Sequence, residues 1–341
     1  MSRLSEYGAG FICSRLSVFA GEQQVFLNTP SACLSCALDQ EGKAPATLAV
    51  QPNLKRASLR KKILMMNNSL PAALIVLTAL LTGCGGGSAE DNQQITQVQA
   101  KTLRYGQQAV IQVAGQYLRA DMTAETGLCK NPVFNTAQSV PGLAVLNCSV
   151  TTTGVQAITI TGSNGQTLYK GSLTVPQPQV LLATSAGNIT VELNPSAAPA
   201  TVNNFLSYVG SGYYRSTLFH RVIAGFVAQG GGYTTGLVKK PGQLAPIALE
   251  SNKGLLNSRS SLAMARTSVP NSATSEFFIN LVDNVSLDYQ SESNPGYAVF
   301  GKVVQGMDIV DAIAAAQTST VNGFANVPLK EVTITLALQT Q

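Results

Sequence analysis

The sequence predicts a mainly β protein, a small β-sandwich followed by a closed eight-stranded antiparallel barrel with two capping helices. Three observations predict it. Of 341 residues, 11% are charged, 45% are hydrophobic and 30 are glycine, which suits β-rich globular domains better than disorder or coiled coil. From about Gln94 to Val175, apolar and polar residues alternate between Gly and Asn turn signals, the pattern of short half-buried strands. Beyond Val175, two segments with helical apolar spacing stand among about eight short strand-like runs. The length allows two domains plus extensions.

Residues 1–59 show no periodicity and read as an unstructured or mis-assigned leader, with translation starting a little upstream of Arg60. Cys33 and Cys36 have no second pair and no neighbouring histidine, so they predict neither a metal nor a redox site. Residues 60–83 have signal-peptide proportions: Arg60, Lys61 and Lys62 precede an apolar run, Leu70 to Leu81, too short for a spanning helix of ~20 residues. Leu81-Thr82-Gly83-Cys84 resembles a bacterial lipobox, which implies cleavage before Cys84 and acylation of its thiol. Residues 84–93, opening Gly85-Gly86-Gly87-Ser88, read as a flexible tether. Three acyl chains anchor firmly, at ~0.8 kcal/mol per buried CH₂. Gly85 rather than Asp after the cysteine points to the outer membrane, with the chain facing the periplasm.

The net charge of +5 belongs mostly to this leader. Lys and Arg upstream of Cys84 number 8 against 4 acidic residues, leaving 14 against 13 from there on. A nearly neutral remainder without Lys/Arg runs excludes a nucleic-acid role.

Residues 94–175 form the predicted sandwich, of Ig-like type. Val110-Ile111-Gln112-Val113 and Ile158-Thr159-Ile160-Thr161 alternate, and Asn164-Gly165 is a hairpin signal because both residues tolerate positive φ. Cys129 and Cys148 are the only cysteines beyond Cys84. In an oxidising compartment they are expected to pair, contributing roughly 3 kcal/mol through a loop of about 20 residues. Nothing in this segment looks catalytic, which leaves spacer or partner-binding module. Pro176-Gln177-Pro178 then marks a stiff boundary.

Residues 176–341 open with two strands around Ser185-Ala186-Gly187. A helix follows the Pro195 to Pro199 segment, with Val202, Phe205, Leu206 and Val209 on one face and Gly210 and Gly212 as its stop. A second helix, Met307 to Ala315, turns Met307, Ile309, Val310 and Ile313 inward. Strands are expected at 262–265, 277–280, 298–300 and 332–336.

Three ordered blocks then carry a specific resemblance. Phe219-His220-Arg221-Val222-Ile223-Ala224-Gly225-Phe226-Val227-Ala228-Gln229-Gly230-Gly231, then Met264-Ala265-Arg266-Thr267 through Asn271-Ser272-Ala273-Thr274-Ser275-Glu276-Phe277-Phe278-Ile279-Asn280, then Val299-Phe300-Gly301-Lys302-Val303 resemble the cyclophilin-type peptidyl-prolyl cis/trans isomerases. The resemblance covers about Val180 to Gln341 and implies a cyclophilin-like barrel. The implied reaction, rotation about an X-Pro bond, crosses a barrier near 20 kcal/mol and needs no acid, base, nucleophile, cofactor or metal. It needs a cation to hydrogen-bond the prolyl nitrogen as the amide twists, beside a dry pocket gripping the ring.

By resemblance, Arg221 is that cation and Phe226, Val227, Phe278 and Leu287 form the proline pocket. Gln229 holds the substrate backbone, Ala265 and Arg266 line its path, and Tyr297 stands at the rim. Phe219 and Phe277 are expected in the core, and His220, the sole histidine, as a buried structural residue. Gly230-Gly231-Gly232 lacks the lysine of a phosphate loop and reads as a turn.

Two positions depart from the family. Glu276 stands where a glutamine usually contacts substrate; its carboxylate can only accept hydrogen bonds, and pairing with Arg221 would restrain turnover. Ser286 stands where an aromatic residue usually closes the pocket. Both leave room for a competing reading, a non-catalytic chaperone or binding module for Pro-containing segments. The expected partners are such polypeptides, and the membrane through Cys84.

Overall fold

In the computed structural model of the chain, residues 92–341 are described. The leader, the signal segment, the Cys33/Cys36 pair and Cys84 lie outside the described residues, as does most of the tether.

The upstream region folds into two antiparallel sheets from β1 (Gln94–Ala100), β2 (Gln108–Gln116), β3 (Thr123–Thr126), β4 (Cys129–Phe134), β5 (Leu143–Val150), β6 (Gly154–Thr161) and β7 (Thr167–Val175). Their orders are β1-β2-β5-β4 and β3-β6-β7. Alternation decides which side chains turn inward: Ile111 and Val113 of β2 and Ile158 and Ile160 of β6 are buried in one shared cluster, while Val110 is 48% exposed. The β6–β7 hairpin turns at Asn164-Gly165, with Gly165 at φ 80°. Cys129 and Cys148 are disulfide-bonded. The bond joins neighbouring strands of one sheet, β4 and β5, and does not cross from sheet to sheet.

The second region contains β8 (Gln179–Thr184), β9 (Gly187–Leu193), α1 (Pro199–Gly210), β10 (Thr217–Ile223), β11 (Val227–Gly230), β12 (Tyr233–Thr234), β13 (Val238–Lys239), β14 (Ser261–Met264), β15 (Phe277–Asn280), β16 (Val299–Gln305), α2 (Met307–Ala314), β17 (Thr318–Val321), β18 (Phe324–Pro328) and β19 (Thr333–Gln339). Eight strands close as an antiparallel barrel in the order β10-β11-β15-β14-β16-β9-β8-β19.

Helix α1 has no side-chain cap of its own. Glu250 supplies one from fifty residues downstream, accepting from the backbone N–H groups of Ala200 at 3.2 Å and Thr201 at 2.8 Å. Val202, Phe205 and Val209 are buried as their spacing predicts, and so is Tyr208. In α2, Val310 and Ile313 are buried, with Met307 and Ile309 packed partly against the same core.

Strands β14 and β15 are buried on both faces, which explains why their sequences read as unbroken apolar runs. Phe277, Ile279, Leu262, Met264 and Phe300 point into the barrel core. Phe278, Ala263, Val227 and Val299 form a second cluster on the outside of the same wall. The side chains expected from sequence to meet substrate gather over that outer cluster.

The upstream region is keyed to the barrel at the β1–β2 turn. Tyr105, 4% exposed, belongs to the barrel's apolar cluster and hydrogen-bonds Asn203 of α1. The Gln339 side chain donates to the Tyr105 carbonyl at 3.0 Å and accepts from Gln107 at 3.1 Å. Burial raises the Tyr105 hydroxyl above its ordinary pKa, with the Asn203 hydrogen bond opposing.

Candidate active site

Antiparallel register brings the site together across four strands. Arg221 pairs with Gln229, Gln229 with Phe278, and Phe278 with Ala263, so one row of side chains crosses β10, β11, β15 and β14. A register shift between Phe219 and Arg221 inserts one residue into β10. Residues two apart, which share a face in a regular strand, are thereby turned to opposite sides: Phe219 is buried in the core and Arg221 reaches the outer surface.

A cavity of about 360 Å³ lies over the outer cluster, lined by Arg221, Phe226, Val227, Gln229, Ala265, Arg266, Phe278, Leu287 and Tyr297. Nine of the ten substrate-contacting residues expected from sequence thus line one hollow. The tenth, Glu276, lines an adjoining cavity of about 290 Å³ that shares Gln229, Ala265 and Arg266 with the first. Ser286 is exposed on the single 3₁₀ turn that ends in Leu287.

The floor is aromatic and aliphatic. Phe278 and Tyr297 meet edge to face, ring centres 5.5 Å apart, and Arg266 stacks over Tyr297 at 4.7 Å. Arg266 is further fixed by the carbonyls of Gly296 and Thr267, each at 2.9 Å. Behind the wall, buried asparagines hold the pocket rim by its backbone. Asn284 Nδ2 donates to the Phe226 carbonyl at 2.9 Å and Asn257 Nδ2 to the Leu287 carbonyl at 2.9 Å. Asn280 links them, donating to Asn257 and accepting from Asn284. Sequence reasoning missed this network; polar residues ending an otherwise apolar strand are the signal that was there to read.

Arg221 Nη1 donates to Gln229 Oε1 at 3.2 Å, and Gln229 Nε2 donates to Glu276 Oε2 at 2.9 Å. His220, 4% exposed, places Nε2 3.3 Å from the same Oε2. The direct Arg221–Glu276 pair anticipated from sequence is replaced by one bridged through Gln229, because His220 draws the carboxylate to the other side. Burial opposes ionisation of Glu276, but the His220 contact, the Gln229 hydrogen bond and the Lys239 charge outweigh it and hold the carboxyl below its ordinary range. The glycine run makes room for this arrangement. Gly231 sits at φ 88°, and a Cβ on Gly232 would come 2.5 Å from Glu276 Cγ.

This arrangement offers the Arg221 guanidinium beside an apolar floor of Phe226, Val227, Phe278 and Leu287. Among the described residues, no cluster of three or more His, Cys, Asp or Glu side chains is placed to hold a metal.

A family match covers the barrel segment. The family described as "Cyclophilin type peptidyl-prolyl cis-trans isomerase/CLD" matches residues 179–337. Peptidyl-prolyl cis-trans isomerase A of Dickeya dadantii is 50% identical over 155 residues, covering 46% of this chain and 80% of that protein. Peptidyl-prolyl cis-trans isomerase B of Escherichia coli is 46% identical over 157 residues, covering 46% of this chain and 95% of its own length. A crystal structure of a Cryptosporidium parvum cyclophilin type peptidyl-prolyl cis-trans isomerase is 26% identical, with a TM-score of 0.41 over 48% of this chain and 98% of that one.

Proposed function

Because this chain belongs to the cyclophilin-type peptidyl-prolyl cis/trans isomerases, we propose that it rotates X-Pro bonds of secreted or outer-membrane proteins at the Arg221 pocket, from a lipid anchor at Cys84. The isomerase activity follows from the family; the residue roles, clients and address are this reading. The observation that carries it is the convergence of Arg221 and the Val227–Phe278 floor in one cavity.

An X-Pro amide loses resonance as it twists, and its nitrogen becomes a better hydrogen-bond acceptor. Arg221 donates to that nitrogen, while Phe226, Val227, Phe278 and Leu287 hold the prolyl ring out of water, where the donor acts more strongly. Gln229 holds the substrate backbone, Ala265 and Arg266 line its path, and Tyr297 closes the rim. The interaction grows as the bond twists, so it lowers the barrier instead of tightening the ground state. Moving from tens of seconds to milliseconds asks for about 10⁵-fold, roughly 7 kcal/mol.

The envelope address rests on Arg60-Lys61-Lys62, the apolar run and Leu81-Thr82-Gly83-Cys84. The upstream two-sheet region, Ig-like in its sequence pattern, serves as a spacer or partner-binding module on this reading.

Exchange spectroscopy by NMR on a short Ala-Pro peptide tests the chemistry without a coupled protease. Substoichiometric protein is expected to broaden and merge the cis and trans signals. Tight peptide binding with unchanged exchange would instead make the pocket a non-catalytic holder of Pro segments. Metabolic lipid labelling tests the address: label on the wild type that disappears in Cys84→Ser supports the anchor, and label unchanged in the variant rejects it.

A further inference from the structure

The polar groups behind the pocket form a line, Arg221, Gln229, Glu276, His220, and its members do not have interchangeable ends. A primary amide presents a donor on one side and an acceptor of nearly equal size on the other. A carboxylate only accepts. With Glu276 ionised, Gln229 must turn its NH₂ toward Glu276, at 2.9 Å, and its Oε1 toward Arg221, at 3.2 Å. Reversed, the amide would set its NH₂ against the N–H groups of Arg221 and its oxygen against the carboxylate, a repulsive contact at both ends.

Glu276 is itself held. His220 reaches it from β10 at 3.3 Å and Gln229 from β11; Tyr233 of β12 and Lys239 of β13 face it across the adjoining turn. The imidazole is clamped by Tyr233, ring centres 4.7 Å apart, and Tyr233 by Phe324 at 5.1 Å. Gly232 leaves the carboxylate stem its space.

We infer that Glu276 and His220 are positioning residues which fix the direction of the Gln229 amide and so aim the Arg221 guanidinium at the substrate. The inference rests on Arg221 being the catalytic cation. It reverses the restraint anticipated from sequence: an acceptor-only side chain at 276 sets the polarity of the line, whereas a glutamine there leaves both directions open.

A double-mutant cycle on kcat/KM with an Ala-Pro peptide tests it. Glu276→Ala is expected to lose about tenfold, mainly in kcat, within the coupling range of residues sharing a hydrogen-bond network. In an Arg221→Ala background the same substitution is expected to cost nothing further, because there is no longer a guanidinium to aim. His220→Gln, which keeps a donor near the Nε2 position, should retain activity within about twofold; His220→Phe, which keeps only the ring, should lose about fivefold. Equal losses from Glu276→Ala in both backgrounds, or wild-type kcat in a folded Glu276→Ala protein, overturn the inference. Where Glu276→Ala fails to give a native circular dichroism spectrum, Glu276→Gln takes its place in the cycle, with a smaller loss again confined to the Arg221 background. An inactive wild type sinks the reading beneath, and is told apart because all variants are then equally inactive.

Discussion

The two-sheet region and the barrel are both antiparallel β, yet they are held together by different means. Buried members of the upstream cluster include no aromatic ring, and its two cysteines are joined. The barrel cluster has no cysteine and holds Phe205, Phe219, Phe277 and Phe300 together with Tyr105, Tyr208, Tyr213 and Tyr214, large rings that each bury much apolar area. Polar burial differs as well. Within the two-sheet region only Gln93 is a buried polar residue among the described ones, whereas the barrel buries Asn257, Asn280 and Asn284 in a connected set. The cavities invert the expectation that size marks a site. A hollow of about 810 Å³ upstream is lined by Tyr117, Phe134 and Val140, and its charged residue, Arg119, is paired with Asp121 at 3.2 Å. The pocket less than half that volume carries two guanidinium groups over an apolar floor. A shaped chemical environment needs a supporting polar shell, and the barrel buries its asparagine set, whereas the Asn135–Gln138–Asn147 hydrogen bonds near the upstream hollow are exposed.

The largest expected effect separates catalysis from folding within the barrel. Arg221→Ala should lower kcat/KM by about 10²–10³-fold, or ~2.7–4 kcal/mol of transition-state stabilisation. Its melting temperature should barely move, since the side chain adds little to the core. Arg221→Lys should recover little, lacking the planar fork. A fast and well-folded Arg221→Ala variant would move the chemistry to other residues.

Tyr105→Ala tests whether the regions are independent. Loss of a buried aromatic key should destabilise the barrel by about 3 kcal/mol, read from urea unfolding, although the substitution lies outside it in sequence. An unchanged barrel midpoint would mean that the joint is passive.

Replacing Cys129 and Cys148 by Ala sharpens the contrast from the other side. The two-sheet region should lose about 3 kcal/mol while peptide isomerisation stays at the wild-type rate. Alkylation without reductant followed by intact mass checks the bond itself: two added groups at these positions mean no disulfide.

The smallest effect is on acid stability. Glu276 titrates in the folded protein below its ordinary 4.5, so the unfolded chain takes up that proton first as pH falls. The stabilisation is complete above about pH 4.5 and drains away as pH drops through the lower folded value. Glu276→Gln should therefore lose less stability than the wild type as the pH falls below about 4.5; parallel losses would show that other carboxyls carry the effect.

Much of this was legible in the chain itself. The Phe277–Asn280 strand, the α2 bounds near Met307 and the Asn164-Gly165 turn follow from local pattern, because alternation, helical spacing and tolerance of positive φ act over a few residues. Arg221 and its pocket were legible through a family resemblance and not through physics, for nothing local marks one strand arginine among others. What escaped depended on long-range contact. Glu250 capping a helix fifty residues away, Tyr105 entering a core assembled from later strands, and His220 meeting Glu276 are pairings that only the closed barrel brings about. Strand β16 likewise runs on to Gln305, past the expected 298–300, because its pairing with β9 carries it through Gly301 and Lys302.

The aromatic cluster of the barrel also gives the molecule a built-in optical label. The chain has no tryptophan, so its near-ultraviolet circular dichroism comes from tyrosine, phenylalanine and the Cys129–Cys148 disulfide, and strong ring signals require rings locked in an asymmetric surrounding. Tyr208, Tyr213 and Tyr214 are locked against Phe205 and one another, at centroid distances of 4.7 to 5.9 Å, while Tyr117 of the upstream region is 69% exposed. The near-ultraviolet band is therefore weighted toward the barrel, with a smaller share from the Cys129–Cys148 disulfide and the partly buried Phe134 and Tyr169 of the two sheets, whose melting registers mainly in the far-ultraviolet backbone signal. Recorded together on one unmodified sample, the two bands weigh the two halves of the protein differently as it comes apart.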